Sequence, residues 1–279
     1  MYRLLCARCQ NRAAGFPAAY RQVVALMESE TIRIDSGGVS LSGELLHPGS
    51  PGAPLVVLCH GIPLSRPDPA DGGYPMLAGL IREKGYAVLF VNFRGTGDSG
   101  GNFHLGGWYV DLEREMRFVS EELGGRFTRT YLAGFSAGGT LALKYAAEHA
   151  GVDGVAAFAA PASFERLFPR EHLFAFLELA RDVGIIRDTG FPPTPDWFYD
   201  ELRQFDAMGY ISRVSPVPLL LVHGGDDELV PLEDSKSLFE AAGEPKQFSM
   251  LPGGMHRLRH DPRALDCLLG WLDRIAAGA

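Results

Sequence analysis

From residue 54 onward the chain repeats one device: a run of five to seven mostly apolar residues, a stretch with helical spacing, then another such run. The runs are PLVVLC (54–59), AVLFV (87–91), TYLAGF (130–135), GVAAFAA (154–160), PLLLVH (218–223) and KQFSML (246–251). Short continuous apolar runs suit strands buried on both faces of a parallel sheet. Two earlier runs, TIRID (31–35) and SLSGELL (40–46), bring the set to eight, and the second partly alternates as an exposed antiparallel edge does. Helical stretches lie between them at 74–84, 108–123 and 137–149, and a final apolar stripe runs through Leu265, Leu268, Leu269, Leu272 and Ile275. Strand and helix in alternation predict a doubly wound α/β sheet.

Residues 164–212 break the alternation, being far longer than an ordinary connection. Leu173, Phe176, Leu177 and Ala180 are spaced for one helix face, FPPTP (191–195) ends that helix, and DWFYDELRQF (196–205) reads as a second. Ten residues of 164–210 are aromatic, about twice the density of the whole chain. Such an insertion suits a helical lid over an apolar pocket. The same rings would also serve to pack the insertion onto the body.

The acidic balance excludes several classes. A formal net charge of −8 argues against a nucleic-acid binder, which needs a basic footprint. No apolar stretch approaches the ~18 residues of a membrane span. Four cysteines in 279 residues make no disulfide framework and suit a reducing cytoplasm. Cys6 and Cys9 form a CxxC with no second pair after it, which reads as incidental rather than as half a metal site. Residues 1–26 are basic and lack the plan of a signal peptide. They read as a peripheral extension, or as translation upstream of Met27, with the extension as a whole placed at 1–30.

The chemistry centres on AGFSAGG (133–139). Gly134, Ser136 and Gly138 form G-x-S-x-G between an apolar strand and the helical TLALKYAAEH. A strand turning at once into a helix strains the central residue, and small neighbours two positions away relieve the crowding. The serine oxygen then stands clear of the sheet at the positive end of the helix. A serine needs a base, and the base needs an orienting acid, arriving later in the chain as acid then His. HGGDDELVP (223–231) offers Asp226, Asp227 and Glu228, and GGMHRLRHD (253–261) offers His256 and His260.

With CHGIPLS (59–65), VNFRGTGDSGG (91–101), GFSAGG, HGGDDELVP and GGMH in order, the chain resembles an α/β-hydrolase from about residue 31 to its end. The resemblance implies a mostly parallel eight-stranded sheet flanked by helices. The core would comprise 31–163 and 213–279, with a small helical cap at 164–212 after the sixth strand. It implies Ser136 as nucleophile, Asp227 rather than Asp226 as the acid, and His256 as the base. The backbone amides of Ile62 and Ala137 would form the oxyanion hole. His60 would hold its own loop, and Arg94 and Asp98 would fix the glycine-rich loop without touching substrate. His260 would be structural, with Asp261 capping the last helix.

Serine at the elbow points to acyl transfer to water rather than to the chemistry of aspartate or cysteine relatives. The expected activity is hydrolysis of small to medium apolar or aromatic carboxylic esters, a small-molecule substrate, with neither metal nor cofactor. A small serine peptidase or aminopeptidase, a thioesterase, and a silent ligand-binding relative stay open as alternatives. So does a homodimer.

Overall fold

The computed structural model describes residues 29–66 and 71–277. The predictions for residues 1–26, including the Cys6–Cys9 pair, lie outside them. Eight strands form one sheet in the order β1-β2-β4-β3-β5-β6-β7-β8. They are β1 (Ser29–Ser36), β2 (Val39–Leu46), β3 (Leu55–Cys59), β4 (Ala87–Asn92), β5 (Thr130–Phe135), β6 (Gly154–Phe158), β7 (Leu219–Gly224) and β8 (Lys246–Leu251). The pairs β1–β2 and β2–β4 are antiparallel and the other five are parallel.

One expectation for the sheet is corrected. The edge is β1, which alternates with Ile32, Ile34 and Ser36 turned inward. The partly alternating β2 lies inside the sheet between β1 and β4. Its two faces are both covered, and a Cβ at Gly43 would stand 2.5 Å from the Phe90 carbonyl oxygen. The close approach of β4 explains the glycine in the middle of that strand.

Helices cover both faces. They are α1 (Gly73–Arg82), α2 (Leu105–Glu121), α3 (Ala137–Glu148), α4 (Phe164–Leu167), α5 (Leu173–Asp182), α6 (Pro195–Arg203), α7 (Leu232–Ala241) and α8 (Pro262–Ala277). Strand β3 shows why its run is continuous. Leu55, Val57 and Cys59 join the core beneath α2 and α3, and Val56 and Leu58 join the core beneath α1 and α8. No helix among the described residues is long and apolar enough to cross a membrane.

The segment between β6 and β7 holds α4, α5, α6 and short 3-10 turns. Thr194 caps α6, accepting from the Trp197 amide at 3.1 Å, and Pro195 occupies its first turn, where a missing amide hydrogen is harmless. The aromatic residues here are mostly internal. Phe164, Phe168, Phe176, Phe198, Tyr199, Phe205 and Tyr210 are buried, while Phe174 and Trp197 face outward. Phe103, on the loop before α2, meets the rings of Phe176 and Phe198 at 6.0 and 5.9 Å. Phe176 and Phe198 thus pack onto the body, and Phe164, Phe168 and Phe176 pack on one another.

The glycine-rich loop after β4 is where the insertion docks. Arg187 donates to the carbonyls of Ser99, Gly95 and Gly97 at 2.7, 3.2 and 3.0 Å. The Phe103 amide donates to the Ile185 carbonyl at 2.8 Å. Arg94 turns the other way, into a buried pair with Asp111 at 2.7 Å, and Ser36 Oγ donates to the same carboxylate at 2.7 Å. Asp98 is exposed.

One turn after Asp111, Glu115 is fully buried, and among the described residues neither carboxyl oxygen has a hydrogen-bond partner. Burial, and then the Asp111 charge, hold its carboxyl well above the usual range. The unfolded chain loses this proton near pH 4 while the folded chain keeps it. The folded state then binds one more proton than the unfolded state, so this group lowers stability as pH rises above about 4. Glu115→Met should stabilise the protein by about 1–3 kcal/mol near pH 4, the cost of an unsatisfied buried polar group, and by more at pH 7, where folding must also take up a proton. The gain should shrink toward pH 4. Urea unfolding at both pH values measures it, and a destabilised variant at pH 7 would contradict the account.

Candidate active site

Strand β5 ends at Phe135 and α3 begins at Ala137, so Ser136 alone makes the turn. Its φ of 52° and ψ of −123° lie where a side chain is strained. The Ser136 amide donates to the Phe158 carbonyl at 2.7 Å, tying the elbow to β6. The flanking glycines are required by contact. A Cβ at Gly134 would stand 2.3 Å from the Gly138 oxygen, and one at Gly138 would stand 2.3 Å from the Cys59 oxygen. Both obstacles are backbone, which cannot swing aside.

The side chains of Ser136, His256 and Asp227 meet although 120 positions separate the first two. Ser136 Oγ lies 3.0 Å from His256 Nε2. His256 Nδ1 lies 2.9 Å from Asp227 Oδ2 and 3.1 Å from Oδ1. An Nδ1–H donated to the carboxylate leaves the Nε2 lone pair free to accept the serine proton. Asp227 has a fully buried side chain, and the His256 ring is 11 % exposed. The amides of Leu229 and Val230 donate to Asp227 Oδ1 at 2.9 Å each. Burial alone would raise this carboxyl. Hydrogen bonds from His223 and His256, with the Val230 amide, override it and hold Asp227 well below the usual carboxylate range. Asp226 is exposed, and its amide donates to the Gly254 carbonyl at 2.9 Å.

Two supports go beyond the predicted set. His223, wholly buried at the end of β7, brings Nε2 within 3.3 Å of Asp227 Oδ2 and 3.0 Å of the Val230 carbonyl. Its Nδ1 lies 2.7 Å from Ser235 Oγ on α7. Glu228 Oε2 accepts from the His256 amide at 3.1 Å. The signal for His223 was its place four residues before Asp227, at the mouth of a buried strand.

The loop after β3 reaches the same serine. A Cβ at Gly61 would come within 3.0 Å of the Phe135 oxygen and 3.1 Å of the Ser136 Cβ, so a larger residue would crowd the elbow. Gly61 donates its amide to the Tyr74 hydroxyl at 3.1 Å. His60 accepts from the Phe93 amide at Nε2, 3.0 Å, and its Nδ1 lies 3.0 Å from the Gly61 carbonyl. Burial first of all pulls its ring down to about pKa 4, so it holds the loop as a neutral imidazole. Ile62 follows, half-buried, and Ala137 is buried. Among the described residues neither of these two amides donates to a protein acceptor.

His260 lies elsewhere. Its Nε2 is 3.1 Å from Asp71 Oδ1, and Asp261 accepts from the Arg263 amide at 3.0 Å at the start of α8. No group of three or more His, Cys, Asp or Glu side chains among the described residues is placed to hold a metal ion.

A family model described as the alpha/beta hydrolase fold matches residues 54–182, and one described as serine aminopeptidase, S33, matches residues 188–263. The chain belongs to the α/β-hydrolase superfamily. This α/β-hydrolase is 26 % identical over 180 residues to the uncharacterized protein YfhR of Escherichia coli strain K12. That alignment covers 64 % of the chain and 56 % of YfhR, so the chain spans little more than half of that relative's length. The α/β-hydrolase GrgF of Penicillium sp. sh18 superposes with a TM-score of 0.71 at 21 % identity, over 90 % of this chain and all of GrgF. The esterase Pf2001 of Pyrococcus furiosus gives 0.67 at 21 % identity, over 91 % of this chain and 94 % of that one. At such identities the likeness is one of fold.

Proposed function

We propose that this α/β-hydrolase cleaves carboxylic esters of small to medium, apolar or aromatic substrates through an acyl-enzyme on Ser136. The observation that carries the reading is His256 bridging Ser136 Oγ at 3.0 Å and the buried Asp227 at 2.9 Å. In this reading Ser136 Oγ attacks the ester carbonyl carbon as its proton passes to His256 Nε2. Asp227 holds the tautomer and stabilises the imidazolium. The negative oxygen is met by the amides of Ile62 and Ala137. The carbonyl reforms, the C–O bond to the alcohol breaks, and His256 gives its proton to the leaving oxygen. A water then gives its proton to His256 and attacks the acyl carbon. The acid leaves, and Ser136 recovers its proton from His256. Residues 31–163 and 213–279 are the catalytic body in this reading, and 164–212 its cap.

Hydrolysis of 4-nitrophenyl esters from acetate to decanoate tests the proposal. Turnover should peak at short to medium chains, and a serine-directed phosphonate should abolish it with stoichiometric labelling. Absence of both hydrolysis and labelling in folded protein would sink it. The serine aminopeptidase match over 188–263 favours a second reading, cleavage of a peptide bond by the same three residues. Preference for aminoacyl-nitroanilides over esters would select it.

A further inference from the structure

The turn behind His256 carries Arg257, Arg259 and His260. Two of these have a carboxylate: Arg259 Nη2 lies 2.8 Å from Asp71 Oδ2, and His260 Nε2 lies 3.1 Å from Oδ1 of the same residue. Arg257 is different. Among the described residues its guanidinium meets no carboxylate, and its one side-chain hydrogen bond runs from Nη2 to the neutral Ser65 Oγ at 3.3 Å. The side chain is half-buried. A guanidinium has five donors. A charge drawn partly out of water against a single hydroxyl is poorly compensated.

Its position gives that charge a use. Arg257 directly follows His256, and Ser65 lies three residues after Ile62. The Arg257–Ser65 bond therefore joins the two loops that both reach Ser136. One of them places His256 Nε2 at 3.0 Å from Oγ, and the other lays Gly61 against the Ser136 side chain. In ester cleavage His256 must hand its proton to the leaving oxygen, so the alcohol half of the substrate lies beside the His256 loop. A chain of net charge −8 repels anions in general, and a local cation between these two loops offsets that for one group.

We propose that Arg257 is a specificity-determining residue that selects esters whose alcohol portion carries a carboxylate. The inference rests on the hydrolase reading above and narrows its substrate class. A planar guanidinium can pair a carboxylate through two parallel N–H bonds, which a lone hydroxyl partner leaves available.

The test compares two butyrate esters, 4-nitrophenyl butyrate and 5-(butyryloxy)-2-nitrobenzoate, whose leaving phenols differ by one carboxylate. The quantity read is the ratio of kcat/KM for the carboxylated ester to that for the neutral one. In Arg257→Gln this ratio should fall about tenfold or more relative to wild type, as expected for loss of a charged hydrogen bond. Arg257→Lys should retain part of it, and rising salt should lower the wild-type ratio. Circular dichroism and Tm establish that the variants are folded. An unchanged ratio in folded Arg257→Gln would overturn the inference while leaving the hydrolase reading intact. Failure of wild type to cleave either ester would count against the hydrolase reading instead. Calorimetric binding of 5-hydroxy-2-nitrobenzoate then decides the role of Arg257. Binding about tenfold tighter in wild type than in Arg257→Gln supports it, and equal binding overturns it.

Discussion

Ser136→Ala should lower kcat on 4-nitrophenyl esters by roughly 10⁴-fold or more while leaving the fold in place. The size follows from chemistry: without Oγ there is no covalent intermediate, and the oxyanion donors alone supply only a residual acceleration. The backbone gives no reason for the variant to unfold. Alanine has the same Cβ as serine, so the strain at φ 52° is unchanged, and the Ser136 amide bond to Phe158 does not involve the side chain. The lost contact is the one to His256 Nε2 at 3.0 Å, at a partly exposed ring. Steady-state kinetics with circular dichroism and Tm measure both halves of the expectation. Activity above a few per cent of wild type in a folded variant would remove Ser136 from the mechanism.

Asp227→Asn is the second large effect, a fall of about 10⁴-fold in kcat. The asparagine oxygen can still accept the amides of Leu229 and Val230, so the loop has a reason to keep its shape. The other end of the amide is then an N–H₂ facing His256 Nδ1, where a carboxylate oxygen stood at 2.9 Å. Two donors cannot share that bond. His256 is driven to carry its proton on Nε2, and Nε2 can no longer accept from Ser136. His223 also loses an anionic neighbour at 3.3 Å, so a modest loss of stability should accompany the loss of rate. Asp226→Asn is the matched control: an exposed residue one position away, it should stay within about twofold of wild type, as surface changes usually do. Equal losses in the two variants would overturn the assignment of the acid.

Much of this fold follows from short-range pattern. All eight strands lie within two residues of their runs, and for β3 to β7 the reason is that a strand buried on both faces has to be apolar throughout. Helix α7 leaves little trace in the sequence. Only Asp234, Ser235 and Leu238 of its ten residues are buried, so it shows no apolar stripe. Its legible signals were a proline just before it and two acidic residues in its first turn. The order of strands was equally hidden, and so was the place of β2 inside the sheet, since pairing depends on partners tens of residues away.

The candidate site divides in the same way. G-x-S-x-G, the acid and the histidine were legible in order and register, because an elbow constrains residues two positions apart and a motif records that constraint. What a linear pattern cannot carry is the meeting of Ser136 with His256 across 120 positions, Arg94 turned into Asp111, or Arg187 gripping the glycine-rich loop. The aromatic insertion reads equally as lid or as packing in the sequence, and only the structure shows that most of its rings are internal. That Arg257 has no carboxylate among the described residues, while Arg259 and His260 share one, is a difference of partners. By itself the sequence determined which backbone shapes were locally allowed and which chemistries were at hand. Only the tertiary structure decided which charges and hydroxyls face one another, because burial and hydrogen bonding are properties of neighbours brought together by the fold.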